Sequence, residues 1–174
     1  MRTQTLNLYS FDELSPTAQQ YALKKYADFY RLDDWWDFIL LDAKEMGVNI
    51  KTFDLYPSYI KLEFIDNSYL TAFNITNSYG EGSDMYKVSK DYLEAFANLV
   101  KHYSDGELTN IVAEGNEDAF DDDAKDLEKE YLNDLGSMYL NSLQQEYDYI
   151  CSSEYLIEMF ECNDVEFTED GRMF

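Results

Sequence analysis

A long apolar seam in the carboxyl-terminal half constrains the fold of this chain more than any other feature. Small and apolar residues recur there at steps of three or four, which places them on one face of an α-helix. They are Phe120, Ala124, Leu127, Tyr131, Leu135, Met138 and Ser142. The sequence therefore predicts one long helix over residues 118–149, with this seam on the core and acids around the rest.

The amino-terminal half of that helix is strongly acidic. Residues 117–134, called the acidic segment below, carry nine acids and two lysines, a net charge of −7. The nine acids are Glu117, Asp118, Asp121, Asp122, Asp123, Asp126, Glu128, Glu130 and Asp134. A helix of this length spans about 27 Å, or one net charge per roughly 4 Å, close to the roughly 3.4 Å of a single DNA strand.

The charge of the whole chain points to a basic partner. Its 174 residues hold 36 acids and 13 bases, a formal net charge of −23, and residues 103–174 alone carry −18. Such a charge repels nucleic acid and anionic membrane surfaces. Hydrophobic residues still make up 45% of the chain and aromatics 17%, so we expect one folded domain over residues 1–174 rather than a disordered acidic chain.

The amino-terminal third predicts two helices. Ser15 before Pro16 is a typical cap for a helix that runs to residue 30. A second helix is expected from a cap at Asp33 or Asp34 to Gly47, and the two helices are expected to pack as a hairpin. Of the successive tryptophans Trp35 and Trp36, one is expected in the core and the other at its edge.

The centre of the chain predicts a small antiparallel sheet. Residues 48–56, 59–65 and 69–75 are rich in β-branched and aromatic side chains and alternate near period two. Further helices are expected after a cap at Ser89 and over residues 153–161, before a last strand segment at 165–167. The predicted fold is α+β, with a small three- to four-stranded antiparallel sheet packed with about five helices, one of them long and acidic.

Catalytic motifs are not found. His102 has Ser104 and Asp105 nearby but no context for a triad. The Gly80-Glu81-Gly82 sequence lacks the lysine and third glycine of phosphate loops. We therefore predict no catalytic residue, no cofactor and no enzymatic activity.

Metal and membrane sites are also not predicted. The run 114–130 fails the calcium-loop spacing, because a start at Asp118 places Phe120 third and a start at Asp121 places Lys125 fifth. Cys151 and Cys162 have no metal or redox spacing. No run approaches the roughly 20 apolar residues of a membrane span, and no signal sequence is visible, so a cytoplasmic protein is expected.

Both ends of the chain resemble a family of small acidic phage and prophage proteins. The resemblance rests on Leu14-Ser15 before an alanine-rich helix, on Asp34-Trp35-Trp36-Asp37-Phe38 with Asp42-Ala43-Lys44, and on the tail from Tyr147-Asp148-Tyr149 through the stretch 165–172. Members are commonly labelled as antitoxins of toxin-antitoxin stability systems. Residues 56–61 depart from the Ser-Gln-Gly-Asp-Gly-like segment of the family. The resemblance implies a phage-related origin and carries over no catalytic residue.

Charge and resemblance together predict an inhibitor. We expect a phage-type protein that blocks the nucleic-acid-binding surface of a host restriction or CRISPR effector, with residues 121–134 acting as a mimic of nucleic acid. One alternative is an antitoxin that covers a toxin through an apolar surface. Another is a small enzyme that uses carboxylates or a metal, and the bland reading of the acidic segment is a solvated helix face.

Overall fold

The fold is α+β, as the sequence predicts, with fewer strands and more helices than expected. The computed structural model describes residues 6–30, 33–104 and 117–174, and within these ranges it has six α-helices and two strands. The chain divides into two compact units, Met1–Trp35 with Gln145–Phe174, and Trp36–Gln144. That both units belong to one domain over residues 1–174 stays a prediction.

The first unit joins the two ends of the chain around an aromatic core. It contains a 3-10 turn at Phe11–Glu13, helix α1 at Pro16–Tyr26 and helix α6 at Ser153–Cys162. The Oγ of Ser15 accepts from the amide of Ala18, which confirms the predicted cap. The buried cluster consists of Phe11, Leu14, Ala18, Ala22, Leu156, Phe160 and Phe167.

The predicted last strand segment is reduced to two isolated bridges. Phe167 pairs antiparallel with Tyr9 and with Met173. Phe167 is fully buried, and its ring centroid lies 5.0 Å from that of Phe160 in α6 and 6.1 Å from that of Phe11. This buried aromatic residue is therefore one of the links between the two ends of the chain.

The second unit is built on a two-stranded hairpin. Its elements are helix α2 (Asp37–Met46), strands β1 (Val48–Leu55) and β2 (Ser58–Phe64), and helices α3 (Ser68–Ser78), α4 (Asp84–Tyr103) and α5 (Glu117–Ile150) as far as Gln144. The strands run antiparallel, with Val48 opposite Phe64 and Leu55 opposite Ser58. The register shifts by one residue between Ile50 and Thr52, which marks a bulge.

The third predicted strand, at residues 69–75, is wrong: this stretch belongs to helix α3. The side chain of Asn67 accepts from the amide of Leu70 at 2.8 Å and so caps a helix. The buried residues follow a helical period and are mostly small, namely Ser68, Thr71, Ala72 and Ile75. The large apolar residues that suggested a strand, Tyr69, Leu70 and Phe73, are exposed.

The predicted end of the first amino-terminal helix and the predicted start of the second are also wrong. Helix α1 ends at Tyr26 rather than residue 30, and α2 begins at Asp37 rather than directly after Asp33 or Asp34. Helix α1 packs with α6 in the first unit, and α2 packs with β1 and α3 in the second. That α1 and α2 pack as a hairpin stays a prediction. The expectation for the tryptophans is confirmed, since Trp35 is buried and Trp36 is partly exposed.

Helix α4 starts earlier than predicted. Its cap is Ser83, whose side chain accepts from the amide of Tyr86, and not Ser89. Ser89 lies fully buried one and a half turns into the helix. The buried side of α4 is Met85, Ser89, Tyr92 and Val100, so a serine within the apolar stripe imitates a cap in the sequence.

The end of α2 depends on Gly47, as predicted. Its φ of +97° lies in the left-handed region, and a Cβ there would come within 2.8 Å of the Thr71 Oγ1. The Gly47 carbonyl also accepts from the amide of Ile65 at 2.8 Å and from the Thr71 hydroxyl at 3.2 Å. Gly47 therefore ends α2 and contacts both the residue that follows β2 and helix α3.

We predict that Gly47→Ala lowers the free energy of unfolding by about 1–3 kcal/mol, because alanine is strained at this φ. Gly80→Ala is the matched control, since a Cβ at Gly80 meets nothing within 4 Å. The control should change stability by no more than about 0.5 kcal/mol. Urea unfolding followed by circular dichroism measures both, and equal midpoints for the two variants would contradict this account.

Candidate functional site

Helix α5 carries the acidic segment, and its bounds, Glu117–Ile150, agree with the prediction to one residue at each end. The seam is confirmed at Tyr131 and Leu135, which are both buried. Its earlier members Phe120, Ala124 and Leu127 are half-buried. Beyond Leu135 the predicted seam is wrong at Ser142, which is exposed, whereas Met138 is half-buried like Phe120. The fully buried stripe continues instead through Tyr139 and Leu143. Steps of four advance about 40° each, so the buried stripe winds around the helix.

Tyr131 anchors the end of the acidic segment. Its ring stacks on that of Tyr92 in α4, with centroids 4.3 Å apart and planes at 16°, and lies 5.9 Å from the ring of Phe64 in β2. Its hydroxyl pairs with the hydroxyl of Ser89 at 2.7 Å. Each such aromatic pair adds about 0.5–1.5 kcal/mol beyond burial. Helix α5 is thereby fixed to α4 and to the hairpin.

A glycine brings β2 close to α5. Gly136 is buried, and a Cβ on it would lie 3.2 Å from the Cγ2 of Ile60 and 3.4 Å from the Cδ1 of Leu62. Both distances are at or below ordinary van der Waals contact. The absence of a side chain at Gly136 therefore sets how closely β2 packs on the helix.

One of the nine predicted partner-binding acids points inward. The Tyr92 hydroxyl donates to the Ser68 Oγ at 2.7 Å, and the Ser68 hydroxyl in turn donates to the Glu128 carboxylate. Glu128 is half-buried as a result. The expectation that all nine carboxylates face solvent is wrong for Glu128, because its oxygen satisfies a buried serine.

The other eight predicted acids are exposed. They are Glu117, Asp118, Asp121, Asp122, Asp123, Asp126, Glu130 and Asp134. Among contacts between described residues, Lys125 lies 3.6 Å from Asp122, and the Tyr103 hydroxyl donates to Asp123 at 2.7 Å. The hydrogen bond to Asp123 raises the pKa of Tyr103, because it holds the phenol proton beside a carboxylate.

A groove between α4 and α5 adjoins these acids and was not predicted from the sequence. It consists of two neighbouring cavities, of about 290 and about 420 Å³, that share Ala95, Leu127 and Glu130. We call it the α4–α5 groove. The sequence contains part of its signal, since one side of α4 presents Val88, Tyr92, Ala95 and Leu99 at helical spacing, but which side of α4 faces α5 depends on tertiary structure.

The other sequence candidates are exposed, have a structural hydrogen bond, or fall outside the described residues. His102 is exposed, the buried Ser104 hydroxyl donates to the Val100 carbonyl at 2.9 Å, and Asp105 lies outside the described residues, as do residues 114–116 of the run tested for calcium. Cys151 and Cys162 are exposed thiols. In the ranges given above, no three His, Cys, Asp or Glu side chains form a metal-binding group.

Comparison with family models, with curated proteins and with solved structures gave no match. The resemblance to the phage family labelled as antitoxins therefore stays a prediction. Residues 56–61, where the chain departs from that family, form the turn between β1 and β2 and the first residues of β2. Across the described part of the chain, no helix has both the length and the hydropathy to cross a membrane.

Two buried tyrosines of α5 provide a matched test of its anchoring. Among the described residues the Tyr139 hydroxyl has no hydrogen-bond partner, although Tyr139 is 1% exposed, whereas the Tyr131 hydroxyl is paired with Ser89. Tyr131→Phe should lower the free energy of unfolding by about 1–3 kcal/mol, because it leaves a buried serine unpaired. Tyr139→Phe should leave it unchanged or raise it by about 1 kcal/mol. Chemical unfolding compares the variants, and the reverse order would contradict the assigned contacts.

The same tyrosines predict a loss of stability in base. Burial disfavours the phenolate and raises the pKa of Tyr131 and Tyr139 above the ordinary value of 10.0. Above about pH 10 the unfolded chain has lost these protons and the folded chain keeps them, so the free energy of unfolding falls as pH rises. Each tyrosine contributes a slope of about 1.4 kcal/mol per pH unit there.

Urea midpoints at pH 8 to 11 measure this slope. Tyr131→Phe should make it shallower, and Tyr21→Phe, at an exposed position, should leave it as in the parent chain. A slope that Tyr131→Phe does not change would show that this tyrosine is not protected from ionisation in the folded state.

Proposed function

We propose that this chain is a phage-type acidic inhibitor that blocks a basic nucleic-acid-binding surface of a host protein, such as a restriction or CRISPR effector. One observation carries the proposal: eight carboxylates are exposed on a single helix that aromatic packing fixes to the rest of its unit. A surface lined with Lys and Arg attracts such a helix by the same electrostatics that attract a phosphate chain.

The spacing of the carboxylates supports the proposal. Asp122, Asp126, Glu130 and Asp134 follow one another at steps of four and are all exposed. Steps of four on a helix place them in a row with a rise of about 6 Å each. Exposed acids on either side of this row bring the acidic segment close to the charge density of a single strand.

The fixed position of the helix supports it as well. Phe120 at one end of the acidic segment packs 6.2 Å from Phe96 and 5.9 Å from Tyr103, and Tyr131 is stacked at the other end. A partner therefore meets charges that are already arranged, and binding need not order the backbone that carries them. The mutual repulsion of the acids, which destabilises the fold, then has a use.

An antitoxin is the second candidate, because large apolar side chains remain exposed on α2 and α3. They are Phe38 and Leu41 on α2, and Tyr69, Leu70 and Phe73 on α3. A contiguous patch of exposed apolar side chains is typical of a protein-binding surface. If the chain is an antitoxin, Phe38→Ser with Leu41→Ser should abolish toxin neutralisation, whereas an inhibitor that acts by charge should keep its activity.

Charge variants test the proposal. The test variant combines Asp121→Asn, Asp126→Asn, Glu130→Gln and Asp134→Asn, and the control combines Glu45→Gln, Glu81→Gln, Glu161→Gln and Glu169→Gln at exposed positions elsewhere. A host protein captured from lysate at low salt is purified, and its binding to labelled DNA or RNA is measured with increasing amounts of each variant.

The parent chain and the control should displace the nucleic acid, and the test variant should need at least tenfold more protein. Single substitutions should weaken displacement gradually, and the association rate should fall steeply as salt rises. A captured protein that binds nucleic acid and this chain at the same time would contradict the proposal. A single carboxylate whose loss abolishes all activity would instead indicate an enzyme.

A further inference from the structure

The α4–α5 groove combines an apolar floor with an acidic rim. The floor is formed by Val88, Tyr92, Ala95, Leu99, Leu127 and Tyr131, which are buried or half-buried. The rim carries Asp91 on α4 and Asp123, Asp126, Glu130 and Asp134 on α5, all exposed. A phosphate-like surface needs only the carboxylates, so the apolar floor calls for a further explanation.

We propose that the α4–α5 groove receives a basic amphipathic helix of the partner protein. Apolar side chains of that helix contact the floor, and its Lys and Arg side chains pair with the rim. This is the helix-in-groove mode of recognition, in which anchors recur at i, i+3 or i+4, and i+7. The inference rests on the proposed function, and it names the element of the partner that the acidic segment contacts.

The charge of the chain selects this occupant. A second copy of the chain also carries −23, so two such surfaces repel one another, as do nucleic acid and an anionic membrane. A neutral apolar helix would fill the floor but leave five carboxylates partly desolvated without counter-charges, which is costly. A helix with both an apolar stripe and cationic flanks satisfies floor and rim together.

The rim also indicates how long the bound helix is and which of its flanks carries the cations. Asp123 and Asp134 are eleven residues apart on α5, a rise of about 16 Å, which corresponds to a helix of about three turns. Four of the five rim acids lie on α5. Helix α4 contributes one acid, Asp91, and its other polar residues along the groove are the uncharged Asn98 and the imidazole of His102. The cations of the bound helix therefore lie mainly on the flank that faces α5.

Two synthetic peptides test the groove with the full chain. One is a labelled 14-residue helix with leucines at i, i+4, i+7 and i+11 and with arginines along one flank. The other has the same composition but an order that forms no apolar stripe. Fluorescence anisotropy should give at least tenfold tighter binding for the striped peptide, and equal dissociation constants would overturn the proposal.

Substitutions in the protein separate shape from charge. Asn98→Arg places a bulky cation in the groove, and Ala95→Phe fills the floor without changing the charge. Asn133→Arg makes the same charge change as Asn98→Arg on the side of α5 that faces β2. Asn98→Arg and Ala95→Phe should each raise the dissociation constant of the striped peptide at least tenfold, and Asn133→Arg should raise it less than threefold. Circular dichroism should confirm that all three variants keep the fold. Equal losses for both arginine variants would overturn the proposal.

The groove and the proposed function can fail separately. If the striped peptide has no advantage while the captured host protein is still displaced from nucleic acid, the groove proposal falls and the inhibitor proposal stands. If the striped peptide binds as expected while no captured protein loses its nucleic acid, the inhibitor proposal falls and the groove remains a helix-binding site.

Discussion

The stack of Tyr92 on Tyr131 is the contact on which the position of the acidic segment depends. It joins α4 to α5 at the point where the charged part of α5 gives way to its buried part, and the hydroxyls of both tyrosines are paired with buried serines. Through Ser68 the same network reaches Glu128 on α5. Packing and hydrogen bonding thus fix one side of the helix and leave the other side to solvent.

This anchoring opposes a strong repulsion. The acidic segment has two lysines for nine acids, and the ion pair at Asp122 is exposed, so it contributes little. Because the acids cannot be neutralised locally, aromatic packing must hold the helix in place. An exposed charge row beside an apolar groove is then a surface suited to a partner that is both basic and amphipathic, which connects the electrostatic argument with the geometric one.

The sequence predicts the long helix because its apolar residues and its acids fall on different faces at the same helical period. This pattern is a local property of the chain. It fails at α3, where exposed Tyr69 and Phe73 dominate the pattern while small residues such as Thr71 form the buried face. The acids of the site are predictable by position. The inward turn of Glu128 is not, because it depends on Ser68, sixty residues earlier in the chain. The groove requires the correct face of α4 and so needs tertiary structure.

The proposed inhibitor needs its acidic segment to be a stable helix in solution rather than a charged chain that becomes ordered on binding. Amide hydrogen exchange of the isolated protein measures this directly. We expect amides of residues 122–134 to be protected to an extent similar to those of residues 135–144, because one tyrosine-anchored helix contains both. Exchange of residues 122–134 at the rate of an unstructured peptide, with protection only beyond Leu135, would contradict the account.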